Sequence, residues 1–170
     1  MTTLYVVRHC RASGQAPEAP LTDEGRAQAE RLADFLAPLA PDRIVASPFR
    51  RAIQSAEPLA ARLGQEIEVD ARLRERNLGD PPIADPFEQL RLSFDDVDLC
   101  LPGGESSRAA LARAEAARRD LLAHGARRTV VVSHGNLIAL LLGRGFAGWQ
   151  ALTNPDVFRV EAGGVARIWS

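Results

Sequence analysis

The chain has 170 residues, 46% hydrophobic and 25% charged, a balance that suits one globular domain over 1–170 and excludes disorder. A formal net charge of −1 removes any bulk electrostatic case for nucleic acid or an anionic membrane as partner, although every basic side chain is an arginine. Two cysteines, Cys10 and Cys100, are too few for a disulfide scaffold, "MTTLYVVRHC" lacks the basic start, apolar stretch and cleavage site of a leader, so none is expected, and no apolar run reaches bilayer length. The expectation is a cytoplasmic protein whose oligomeric state is open, a dimer included.

In chain order, "TTLYVV" is a short β-rich run that ends on Arg8-His9. After a polar loop, Thr22 has the character of an N-cap, with Asp23 and Glu24 in a first turn; the helix should stop near Ala37, before Pro38. "RIVAS" (43–47) reads as a second strand. Ser47-Pro48 then resembles a cap and first turn, and apolar residues recur at helical spacing to Leu63. Pro58 should kink that helix and Gly64 should end it.

"EIEVD" alternates as a strand does. The Gly-, Pro- and Asp-rich stretch from Asn77 to Pro86 is loop, Glu88 to Phe94 a short helix, and "LPGGESS" a turn into a long helix reaching about Ala123. "RTVVVSHGN" is the clearest buried strand, followed by a helix over "LIALLLG". "DVFRVEAGGVARIW" reads as two closing strands joined at Gly163 and Gly164. Alternating strands and helices predict an α/β fold, a three-layer sandwich around a mostly parallel sheet.

In such sheets ligands gather at the carboxyl ends of the strands. Those ends bring Arg8-His9, Ser47 with Arg50 and Arg51 beyond it, Glu75 within "RLRERN", and His134-Gly135 toward one place. Two imidazoles, several guanidinium groups and one carboxylate suit a phosphate ester. Taken singly, each has a plainer reading: a solvated loop arginine, a satisfied histidine, a surface ion partner for Glu75. Helical periodicity does not choose between Arg50 and Arg51. No metal site is expected, because His9-Cys10 is a poor chelating pair and no CxxC or HxxxH is present. Gly103-Gly104 lacks the phosphate-loop signature and its lysine.

These segments resemble the histidine phosphatase superfamily, which includes the cofactor-dependent phosphoglycerate mutases. Arg8-His9 is similar to the family's Arg-His-Gly, with Cys10 at the glycine. "LTDEGRAQA", "SPFRRAIQSAEPLA", "LRERNLG", "PGGES" and "VVVSHGNLI" resemble the motifs that follow it, in the same order. The resemblance selects Arg51 over Arg50. It implies that His9 is the nucleophile and forms a phosphohistidine, that Arg8, Arg51 and His134 bind the phosphate oxygens, and that Glu75 is the general acid and then base. Gly135 would line the phosphate site. Gln15 stands where relatives carry Asn and would offer an equivalent amide. No cofactor or metal is implied. Ala12 replaces a usual Ser or Thr, and "DPPIADP" replaces the stretch after Gly79 that shapes the substrate cap.

The short span between Glu75 and His134 favours hydrolysis of a small-molecule phosphate ester over mutase activity. A protein phosphohistidine phosphatase, a phosphoglycerate mutase and a non-catalytic phospholigand-binding domain are the alternatives. Two readings of Cys10 stay open: a thiolate activated by Arg8 and Arg51, or a small inert core hydrophobe.

Overall fold

A computed structural model describes residues 2–170. Its strands are β1 (Thr3–Arg8), β2 (Arg43–Ala46), β3 (Ile67–Val69), β4 (Arg128–Ser133), β5 (Asp156–Glu161) and β6 (Gly164–Trp169). Its helices are α1 (Asp23–Leu36), α2 (Arg50–Leu63), α3 (Pro86–Asp95), α4 (Ser107–Ala123), α5 (Gly135–Leu141) and α6 (Gly145–Gln150). One six-stranded sheet has the order β3-β2-β4-β1-β5-β6. The first four of these run parallel, and β5 is antiparallel to both its neighbours.

Side chains alternate across the sheet and so divide the core in two. Tyr5, Val7, Ile44, Ala46, Val130 and Val132 face α1 and α2, which supply Leu32, Leu36, Ala52, Ala56 and Leu59. Leu4, Val6, Val45, Val131 and Phe158 face the other way, against Ala117 and Leu121 of α4 and Ile138 of α5. Both faces are covered, as the continuous apolar run of β4 requires. This is the expected three-layer α/β/α sandwich.

Thr22 caps α1 by accepting from the Gly25 N–H at 3.0 Å, and α1 ends at Leu36 before a 3-10 turn that absorbs Pro38. Gly64, at φ 61°, ends α2, which runs on through Pro58.

Some local expectations need correction. Ser47 does not cap α2. Its hydroxyl accepts from the N–H of Phe49, two residues on, in a local turn, and Phe49 is the cap position. Helix α3 begins two residues early because Pro86 fits the first helical position and Asp85 caps it at Glu88. Helix α5 takes in Gly135 and ends at Leu141. Gly164 already belongs to β6, which leaves Ala162 and Gly163 as the turn. Helix α6, "GFAGWQ", had no signal in the sequence. Two glycines depress its propensity, and packing of Phe146 and Trp149 on α3 holds it.

Candidate active site

The register of the parallel strands builds the site. Arg8 lies beside Ser133, and Ala46 beside Val132, so β1 and β4 end level and β2 one residue short of them. His9, His134 and Ser47 each come next, and the ladder continues through His9 N to Ser133 O at 3.0 Å and Ser47 N to Val132 O at 2.9 Å.

His9 leaves this ladder with a defined tautomer. Its Nδ1 lies 2.6 Å from the Cys10 carbonyl, an acceptor only, so Nδ1 carries the proton and Nε2 the lone pair. Arg51 Nε donates to that Nε2 at 3.2 Å. Burial is the main cause that lowers the His9 pKa to about 3, and Arg51 and Arg8 add to it against the opposing Cys10 hydrogen bond. The ring is therefore neutral at physiological pH.

The loop beyond His9 is tied down by side chains of the flanking motifs. Cys10 N donates to Ser55 Oγ, Arg11 N to Gln28 Oε1 and Leu21 N to Gln54 Oε1, at 2.9, 2.8 and 2.8 Å. A Cβ on Gly25 would collide with the Arg11 carbonyl, which explains the glycine of "LTDEGRAQA". Asn154 Nδ2 holds the His9 carbonyl at 2.8 Å. Gln28, Gln54 and Ser55 lie in recognisable motifs, but only their loop contacts disclose what they do. Asn154 had no sequence signal.

Arg51 is 1% exposed although it sits in the first turn of α2. Its Nη1 donates to the carbonyls of Gln15 and Ala16 at 3.1 and 2.9 Å, and its guanidinium lies over the Phe49 ring. Arg50 points to solvent, so the fold separates the two arginines that periodicity left equivalent. Gln15 is exposed on the cleft rim, where its backbone carbonyl takes up Arg51. Arg8 donates from Nη1 to Leu152 O at 3.0 Å, while its Nε is buried with no partner among the described residues. A Cβ on Gly135 would come within 3.0 Å of that Nε, so the glycine admits the guanidinium.

His134 is fully buried, with its ring centroid 5.1 Å from that of His9. Its Nε2 pairs with Ser47 Oγ at 2.7 Å. Ser47 Oγ accepts from Phe49 N and still has a proton and a second lone pair, so either His134 tautomer satisfies this pair, and His134 Nδ1 has no partner among the described residues. Burial first, then His9 and the nearby arginines, hold this ring well below the ordinary histidine pKa.

The Glu75 carboxylate accepts three backbone N–H groups. Oε1 takes Arg76 at 2.8 Å and Leu137 at 3.0 Å, and Oε2 takes Asn136 at 3.0 Å. Oε2 thus keeps the freer lone pair. Arg113 clamps the Glu75 segment through the carbonyls of Arg72, Arg74 and Glu75, and is itself fixed by Glu105 at 2.9 Å. Glu105 is the acid of "PGGES", which gives that motif a positioning role.

These groups lie at or beneath the floor of a cleft of about 720 Å³. His9 sits beside Arg51, His134 beside His9 and Gly135 beside Arg8, while of the site residues named from the sequence Arg8, Gln15, Arg51 and Glu75 line the cleft. Cys10 does not: it is fully buried in the core on the α1/α2 side, and burial pushes its thiol up to about 11. The activated-thiolate reading is therefore overturned, because desolvation outweighs the neighbouring cations. Among the described residues no three His, Cys, Asp or Glu side chains group as metal ligands, and no helix is long and apolar enough to cross a membrane.

Comparison with known proteins gives a consistent picture. A glucosyl-3-phosphoglycerate phosphatase of Mycolicibacterium vanbaalenii is 37% identical over 167 residues, which covers 84% of this chain and 71% of that one. A protein of Shigella boydii named "Probable phosphoglycerate mutase GpmB" is 31% identical, covering 95% of this chain and 85% of its own length. The structure of a mycobacterial glucosyl-3-phosphoglycerate phosphatase in complex with inorganic phosphate superposes with a TM-score of 0.79 at 29% identity, over 100% of this chain and 96% of that one. The family model for the histidine phosphatase superfamily (branch 1) matches residues 4–165, and with the strand-end histidines and arginines already in place, the chain belongs to that superfamily.

Proposed function

We propose that this single domain is a cytoplasmic phosphomonoesterase that works through a phosphohistidine on His9. The observation that carries this reading is the neutral His9 ring, with its Nε2 lone pair beside the Arg51 guanidinium and its Nδ1–H fixed on Cys10 O. Arg8 Nε and His134 Nδ1 have no partners among the described residues, and in this reading His134 carries its proton on Nδ1, so that with Arg51 they supply donors around His9. They suit the three equatorial oxygens of a phosphoryl group.

In the first step, His9 Nε2 forms a bond to phosphorus as the bond to the leaving oxygen breaks. Glu75, protonated on Oε2, passes that proton to the departing alkoxide. In the second step, water attacks the phosphohistidine, Oε2 takes back a proton, and the N–P bond electrons return to His9. Guanidinium groups supply the positive charge, and the proposal requires no metal or cofactor. Gln15 completes the rim through its side-chain amide, and Gly135 makes room for Arg8.

Mutase activity is not favoured, because the outer cleft offers one exposed arginine, Arg74, where the phosphate floor offers the Arg8 and Arg51 pair. The arginines lining it other than Arg8 and Arg51 are Arg74, near Glu105 at 3.8 Å, and the buried Arg76, bonded to Glu105 O and Ser93 Oγ. Helices α3 and α6 wall the cleft, which suits a small molecule better than a protein surface. Neither nucleic acid nor membrane is a partner in this reading, and a dimer remains compatible with it.

Rapid quench in base after mixing with labelled substrate tests the proposal. Acid-labile, base-stable label on the wild type, absent from His9→Ala, is expected. Label persisting in that variant would remove His9 from the role.

A further inference from the structure

We propose that the leaving alcohol recognised here is a flat, uncharged, weakly polar group, such as an arylmethyl alcohol, seated against an aromatic wall formed by Phe87 and Trp149. The proposal rests on the phosphomonoesterase reading and specifies its substrate class. Phe87 opens α3 and is 52% exposed, yet it lines the cleft. Behind it, Phe146 and Trp149 of α6 stack at 5.5 Å and 23°, and Phe94 closes the cluster at 5.9 Å from Phe146. The wall is therefore a supported surface, and Phe87 and Trp149 present its apolar face to the ligand space. Ile83 and Leu90 extend it.

Charge points the same way. The lining cations outside the phosphate floor are Arg76, buried and bonded to Glu105 O and Ser93 Oγ, and the exposed Arg74, which bonds Ala71 O. An acidic alcohol such as a phosphoglycerate would bring a carboxylate against Phe87, Trp149, Ile83 and Leu90, none of which carries a charge to receive it. Between floor and wall lies Asn136, 6% exposed, whose Oδ1 and Nδ2 lack partners among the described residues. A neutral amide there suits a neutral polar atom next to the ester oxygen. Aromatic faces hold flat rings by stacking and area burial, without a charge requirement.

The test compares benzyl phosphate with ethyl phosphate and 3-phosphoglycerate, whose leaving alcohols are all aliphatic, so that leaving-group acidity does not decide the order. Benzyl phosphate should exceed both others in kcat/KM by about tenfold, mostly through KM. In Phe87→Ala the benzyl-to-ethyl ratio should fall toward one, and Phe87→Tyr should restore it. Calorimetric titration with benzylphosphonate and 3-phosphonopropionate gives the same ranking without turnover. Preference for 3-phosphoglycerate, or a ratio indifferent to Phe87, overturns the substrate class while leaving the phosphatase intact. Turnover of none of the esters, with benzylphosphonate still bound tenfold more tightly, overturns the phosphatase reading and supports the wall.

Discussion

At the floor of the cleft, His9, His134 and Ser47 each follow the last residue of a parallel strand, and ladder hydrogen bonds of 3.0 Å and 2.9 Å fix His9 and Ser47. On the outer wall, Phe87, Phe146 and Trp149 come from two short helices that no strand holds, and they are placed by contact with one another. The floor is polar, largely buried and tied to the backbone at almost every group. The wall is apolar and partly exposed. Hydrogen bonds define geometry to a fraction of an ångström, which phosphoryl transfer needs. Apolar contact tolerates variation in shape, so it suits the part of the site that selects among alcohols. Chemistry and selectivity are thereby assigned to separable regions.

That division can be broken from the floor. His9→Ala should lower turnover of every ester by roughly 10⁴-fold or more, with no change in the ranking of esters. A change in rank in its residual activity would mean that floor and wall are not independent.

Glu75→Gln comes next, with a loss of roughly 10²- to 10⁴-fold on alkyl esters and much less on aryl ones in single-turnover phosphorylation. Equal losses would mean that Glu75 only orients its surroundings. The same change sets an amide NH₂ where the carboxylate now accepts from Arg76, Asn136 and Leu137, so denaturant unfolding should also show a loss of about 1–3 kcal/mol.

Gly135→Ala sharpens the comparison further. A methyl within 3.0 Å of Arg8 Nε and 3.1 Å of its Cζ must displace the guanidinium, and kcat/KM should fall by roughly tenfold to a hundredfold on all esters alike. An effect confined to one ester would place Arg8 in substrate selection instead.

A smaller effect concerns pH. The His9 pKa falls from the ordinary 6.5 to about 3 through burial, and His134 shifts in the same direction. Between those values the unfolded chain binds more protons than the folded one. Stability should thus be complete above about pH 6.5 and decline as pH falls toward 3. In the ligand-free protein, the ring NMR signals of both histidines should stay constant from about pH 8 to 5. Movement near 6.5 would show that the floor is wetter than its burial implies.

The smallest effect is expected at Cys10. Iodoacetamide should modify the exposed Cys100 and leave Cys10 and activity untouched until the protein unfolds, because the Cys10 thiol is buried and raised to about 11. Inactivation that follows Cys10 labelling in the folded state would contradict its place in the core.

The sequence by itself determined the layered architecture, because β-branched runs and helical spacing each have one period, and burying both faces of a parallel sheet leaves few arrangements. It also set Arg8, His9 and His134 at strand ends, whereas Glu75 follows β3 only after a 3-10 turn. Motif resemblance added the preference for Arg51 over Arg50, and packing settled the rest. Arg50 and Arg51 are neighbours on one helix turn, and only packing against Gln15, Ala16 and His9 buries the second of them. Cys10 adjoins the nucleophile in sequence but faces the opposite way, into Ser55 and the α1/α2 core. Ser47 looked like a helix cap until the fold set His134 at 2.7 Å from its hydroxyl. The aromatic wall depends on α6, a glycine-containing segment with no helical signal until Phe87 and Phe94 pack on it. Local propensity and period are written in adjacent residues, whereas the direction of a side chain and the partner it meets are set by residues far along the chain, 145 positions apart for Asn154 and His9.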